Sequence, residues 1–170
     1  MLKLAVTDAC IFIDLHELNL TAAFFNLNIE VHTSLDVYNE LFIEQQQLLS
    51  AFISVNKLTV HNLKEEHLNE IRQTAYSASL SQTDKSVLYL SEMIEAMVIS
   101  SDKALRRNAK ERGIEYHGML WIFDNLIEQS LISKFDASKN LQTLMFKNLV
   151  YQNNKQLLSE MSKRLKLWSR

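Results

Sequence analysis

Proline is absent from this sequence, glycine occurs only as Gly113 and Gly118, and cysteine only as Cys10. Without proline, and with so little glycine, few sharp breaks interrupt the pattern, so helix should dominate. No flexible linker, internal repeat or low-complexity tract divides the chain. A lone cysteine inside an apolar run excludes an intrachain disulfide framework and fits a reducing compartment. No apolar run approaches the ~20 residues that span a bilayer, and the N-terminus has no basic region followed by a cleavable apolar segment. The expectation is a cytoplasmic protein with no membrane association.

What is present is a chain of 170 residues, 47% hydrophobic, long enough to bury a sizeable core. The net charge of -2 conceals a split: residues 1–100 carry 13 Asp and Glu against 5 Lys and Arg, and residues 101–170 carry 7 against 13. Such asymmetry suits an acidic pocket for cations beside a basic surface for phosphates, or simply helical surfaces of varied charge.

The run Ala96 to Ile99 is short enough for a buried strand and stops at Ser100-Ser101-Asp102, where a basic helical pattern begins and runs to Gly113. Leu4-Ala5-Val6-Thr7-Asp8 reads as an earlier strand of the same kind, with Asp8 near its end. Ile29–Thr33, Lys57–His61 and Ile114–His117 read as further short strands. Between them lie a helix capped by Ser34 and holding Val37, Tyr38, Leu41 and Phe42, an amphipathic segment from Leu63 to Tyr76, and a helix introduced by Ser81 and Asp84. Beyond a helix from Met119 to Leu131, residues 133–170 form an amphipathic pair, the first capped by Asp136. These spacings predict an α/β fold with a mostly parallel central sheet and helices on both faces over residues 1–132, and a C-terminal helical extension over 133–170.

In an open parallel sheet, ligands sit outside the carboxyl ends of the strands, where Asp8 and Asp102 would project. Glu40 and Asp84 could approach from helices. Each acid also has a local explanation: Asp8 and Asp84 as caps, Glu40 as part of a solvated helix face. Four carboxylates in one pocket would repel unless a cation neutralised them, and oxygen-only ligands favour Mg2+ or Mn2+ over zinc. Two such ions ~3.5–4 Å apart support phosphodiester hydrolysis.

The segments Val6-Thr7-Asp8-Ala9, Val37-x-x-Glu40-Leu41, Leu80-Ser81-x-x-Asp84-x-x-x-Leu88-x-Leu90 and Ile99-Ser100-Ser101-Asp102-x-x-Leu105-Arg106 together resemble the PIN domain, the nuclease fold of VapC-type toxins. The stretch from Asp102 through Gly113-Ile114-Glu115-Tyr116-His117-Gly118-Met119-Leu120 is the most characteristic, and the resemblance covers roughly residues 2–132. It implies a metal-dependent ribonuclease in which Asp8, Glu40, Asp84 and Asp102 form the acidic metal-binding and catalytic quartet. Ser100 matches a small hydroxyl position that orients the pocket or a water. Lys103 and Arg106, with Arg107, Lys110 and Arg112, would hold RNA phosphates or form a solvated helix face. The resemblance further implies a toxin of a toxin-antitoxin pair, with an antitoxin-like protein or a second copy of the chain as partner. The sequence departs from the family in having a single acid in the fourth motif, and its C-terminal helices exceed the shortest toxin-like members.

Other residues rank lower. Asp14 reads as a helix-surface acid, Asp124 sits among core-forming Trp121, Ile122 and Leu126, and His61 and His67 lack zinc-ligand spacing. An aspartyl phosphatase would carry a second aspartate where Cys10 stands, and the apolar setting of Cys10 argues against a thiol nucleophile. The competing function is a non-catalytic PIN-like module that binds protein or RNA.

Overall fold

The computed structural model describes residues 2–169. The elements run β1 (Lys3–Thr7), α1 (Ala9–Glu17), α2 (Thr21–Phe24), β2 (Ile29–Ser34), α3 (Leu35–Glu40), α4 (Ile43–Ser54), β3 (Leu58–His61), α5 (Glu65–Gln73), α6 (Gln82–Met93), β4 (Met97–Ile99), α7 (Lys103–Glu111), β5 (Tyr116–His117), α8 (Met119–Glu128), α9 (Lys134–Lys147), α10 (Leu149–Gln152) and α11 (Lys155–Trp168). The five strands form one sheet in the order β3-β2-β1-β4-β5, and every pairing is parallel. This is the α/β fold that the alternation of strand and helix patterns predicts.

Ala5, Val6 and Thr7 in β1 are each 0% exposed, as are Val98 and Ile99 in β4. Successive strand residues face opposite sides of a sheet, so the centre of this one is covered on both faces. That is why its strands read as continuous apolar runs rather than as alternation. From β1 the chain steps outward to β2 and β3, then returns to the other side of β1 for β4 and β5. The winding direction therefore reverses between β1 and β4, which pair with Thr7 opposite Ile99. The crevice that opens at such a reversal is where open α/β sheets place their ligands.

Helix starts are fixed by side-chain caps. Ser34 accepts the Val37 N–H at 3.2 Å, Ser81 the Asp84 N–H at 3.0 Å, and Asp102 the Leu105 N–H at 2.7 Å. Two details differ from the sequence reading. The helix begun at Ser34 ends at Glu40, because Leu41 turns extended (ψ 149°) and leaves Leu41 and Phe42 between helices. The break is mended by glutamines: Gln45 Oε1 accepts the Phe42 N–H at 2.9 Å, and Gln46 Nε2 donates to the Tyr38 and Leu41 carbonyls at 3.0 Å. At the start of α9 the cap is Ser133, with Asp136 one turn inside, and the C-terminal pair is three helices, α10 being a separate short turn.

The chain packs as two compact units. One takes in the chain up to Ile13 together with Asn28–Met119 and holds the whole sheet; the other takes in Asp14–Leu27 and the chain from Leu120 onward, and is helical. Within the helical unit Asp14 is 3% exposed, so it is a buried acid rather than the helix-surface acid expected from the sequence. Its carboxylate accepts from Tyr151 Oη at 2.9 Å and from Asn148 Nδ2 at 3.1 Å, partners more than 130 positions away. Asp124 receives a two-pronged bond from Arg164, Nε to Oδ1 at 3.0 Å and Nη2 to Oδ2 at 2.7 Å. Among the described residues no helix is long and apolar enough to cross a membrane.

Candidate functional site

Asp8 directly follows β1, and its own N–H donates to the Ile99 carbonyl at 3.1 Å, which ties it to the end of β4. The side chain is 6% exposed and well supplied with donors. Oδ1 accepts the Ala9 N–H at 2.7 Å, and Oδ2 accepts Ser100 Oγ at 2.9 Å and Cys10 Sγ at 3.1 Å. Ser100, 0% exposed, also accepts the Asp102 N–H at 3.0 Å. One buried hydroxyl thus links the Asp8 carboxylate to the backbone of Asp102 across the reversal of the sheet. Asp102 itself is exposed; Oδ1 caps α7, and Oδ2 has no protein partner among the described residues.

Asp84, in the first turn of α6, closes a reciprocal capping box by accepting the Ser81 N–H on Oδ2 at 2.7 Å. Its cap role and its place near Asp8 coexist, since its negative charge bears on Asp8. Glu40, the last residue of α3, accepts the hydroxyl of Thr83, the neighbour of Asp84. The structure thus links Asp8 to Asp102 through Ser100, lets the charge of Asp84 act on Asp8, and ties Glu40 to Thr83, the residue before Asp84. Among the described residues, no three Asp, Glu, His or Cys side chains gather into a ready-made cage for one ion.

Burial pushes the Asp8 carboxyl above its ordinary range; the Cys10, Ser100 and Ala9 donors pull it back, and the charge of Asp84 raises it again. Burial and the charge of Asp8 push the Cys10 thiol well above its usual value, so Cys10 is a donor to Asp8 and not a nucleophile. A carboxylate offers about four acceptor positions, and Asp8 has three filled. One position remains, along with the free Oδ2 of Asp102 and an unused oxygen each on Asp84 and Glu40. This oxygen-only set suits a hard cation held by one or two carboxylates and completed by water and a phosphate, the coordination Mg2+ prefers to an all-protein cage.

The basic residues of α7 and its C-cap divide by partner. Arg112 is committed to structure, bound by Glu92 at 2.6 and 2.9 Å and lying 4.7 Å from the Tyr76 ring centroid. Arg107 reaches Glu111 at 3.9 Å and Ser79 at 3.4 Å. Lys103 and Lys110 are exposed, and Arg106 is half-buried over the ring of Tyr116. Sequence reasoning missed Thr83, Cys10 as a donor, and Tyr116. Only Cys10, two residues beyond Asp8, left a positional signal. Of the histidines, His67 accepts the Lys64 N–H at 3.1 Å, and His61 meets His32 across β2 and β3, ring nitrogens 3.0 Å apart.

The family model described as a PIN domain matches residues 4–166. Among solved structures, the chain is similar to a PilT N-terminus domain protein from the hyperthermophilic archaeon Sulfolobus solfataricus P2. The two share 15% identity over 74% of this chain and 94% of that one, with a TM-score of 0.52, a likeness of fold. No curated protein matches the sequence.

Proposed function

The chain belongs to the PIN-domain family, a nuclease-type fold, and from that premise we propose that it is a Mg2+- or Mn2+-dependent endoribonuclease. One observation carries the reading: Asp8 and Asp102 flank the reversal of the parallel sheet and share Ser100, with Asp84 close enough to raise Asp8. Like charges so placed oppose one another, and a divalent cation is what relieves them at neutral pH. Asp8, Asp84 and Asp102 would hold the cation, with Glu40 beside Asp84 completing the set. The bound cation supplies positive charge against the scissile phosphate. The protein groups do the rest: Ser100 and Cys10 fix the Asp8 carboxylate, Thr83 fixes Glu40, and Lys103 and Arg106 draw in the RNA backbone.

Metal-stripped protein supplied with Mn2+ should cleave single-stranded RNA, and Asp8→Asn and Asp102→Asn should each reduce kcat by 10²-fold or more, on the order of 3 kcal/mol. Wild-type activity in Asp102→Asn would refute the assignment. Binding of RNA with no cleavage under any divalent metal would favour the non-catalytic module.

A further inference from the structure

Arg106 and Arg112 form an instructive pair. Arg112 shows how this chain ties down a guanidinium for structure, with an aromatic ring against it and two hydrogen bonds to Glu92. Arg106 has the ring, Tyr116 at 5.3 Å from Cζ, and lacks the carboxylate. It is half-buried, yet its five N–H donors have no hydrogen-bond or ion-pair partner among the described residues. A charge withdrawn from water is ordinarily paired, so the fork is built for an anion the protein does not itself provide.

Gly118 supplies the room. It is not among the positive-φ residues, so the backbone alone does not call for glycine. A Cβ built there would stand 3.1 Å from Arg106 Nη1 and 3.4 Å from the Ser100 carbonyl oxygen. The missing Cβ therefore lets the guanidinium lie beside the end of β4, the strand that delivers Asp102. We propose that Arg106, seated by the Tyr116 ring and the bare Gly118, is a two-pronged binding site for one phosphate of the RNA backbone, with Tyr116 and Gly118 as positioning residues. The proposal deepens, and for its ligand rests on, the ribonuclease reading. A planar fork meets two phosphate oxygens at once, whereas exposed Lys103 offers a point charge.

Fluorescence anisotropy of a labelled single-stranded RNA with full-length protein, in EDTA across a salt series, separates a fork from diffuse attraction. Arg106→Lys should raise Kd about tenfold, as expected for losing one charge-assisted hydrogen bond, with the salt slope unchanged because the charge remains. Arg106→Ala should also lower that slope by about one. Gly118→Ala should raise Kd in the same direction while keeping its thermal transition, and Lys57→Ala, which removes an exposed charge just before β3, should leave Kd unchanged. An Arg106→Lys Kd within twofold of wild type, an equal loss in Lys57→Ala, or no RNA binding by the parent protein in EDTA or Mn2+ would overturn the seat. Cleavage in Mn2+ is scored on the same samples. Cleavage with Arg106-insensitive binding defeats the seat alone, and Arg106-dependent binding without cleavage defeats the nuclease reading alone.

Discussion

Replacing Ser100 by alanine removes a single oxygen from the most connected point of the site. That oxygen donates to Asp8 at 2.9 Å and accepts from the Asp102 N–H at 3.0 Å, in a residue with no exposed surface. The variant leaves Asp8 Oδ2 with Cys10 as its only donor and the Asp102 N–H with none. Each buried group deprived of a partner costs about 1–3 kcal/mol, and because Cys10 stays, the sum should fall near 2–4 kcal/mol. For a chain of this size that corresponds to a Tm lower by about 10 °C, readable by calorimetry. A second readout ties the loss to function: the Mn2+ concentration for half-maximal RNA cleavage should rise, since Asp8 is no longer held toward Asp102. If Ser100 merely fills space, the change should stay below ~1 kcal/mol. A Tm within about 3 °C of wild type, with unchanged Mn2+ dependence, would refute the linking role.

Further outcomes follow from the same geometry. Burial, opposed by Tyr151 and Asn148 and aided by the charge of Glu17, pushes Asp14 up to about 6, against an ordinary 3.8. Between those values the folded chain keeps a proton that the unfolded chain has released, so stability falls as pH rises through the window, by about 3 kcal/mol at full ionisation. Asp14→Asn, which retains the neutral form's shape, should be more stable than wild type in urea unfolding at pH 8 and equal to it near pH 4; a less stable variant at pH 8 would show that the two hydrogen bonds outweigh burial. Thr83→Val removes the hydroxyl that holds Glu40 and should lower kcat severalfold in the RNA assay at unchanged Tm. A Tm loss that accounted for the whole drop in activity would count against a positioning role.

How much of this was legible depended on how far apart in sequence the partners lie. β4 could be read because an apolar run stops at Ser100-Ser101-Asp102, and the start of α6 because Ser81-x-x-Asp84 is a local signature. The same signature recurs as Ser133-x-x-Asp136, and it places the α9 cap on the serine. The end of α3 was not legible, since no proline or glycine marks it and the glutamines that mend the break look like ordinary helix formers. Asp14 is an acid that sequence reading assigns to a helix surface, and the hydrogen bonds that accompany its burial come from Tyr151 and Asn148, which no local pattern connects to it. The resemblance named the four acids and Ser100, whereas the support that Cys10 gives Asp8 and Thr83 gives Glu40 is a property of the folded chain.

The 92 positions between Asp8 and Ser100 carry a lesson about timing. On one side β1 pairs with β2, close to it in sequence, but on the other it pairs with β4, which the chain reaches only after β2, β3 and the helices between them. Closing so long a loop is the slow, entropically expensive part of such a fold. A chain short of that point has Asp8 without Ser100 to hold it and no Asp102 at all, so the Asp8–Ser100–Asp102 link cannot yet form. The topology thereby makes the joining of these two strand ends a late event of folding.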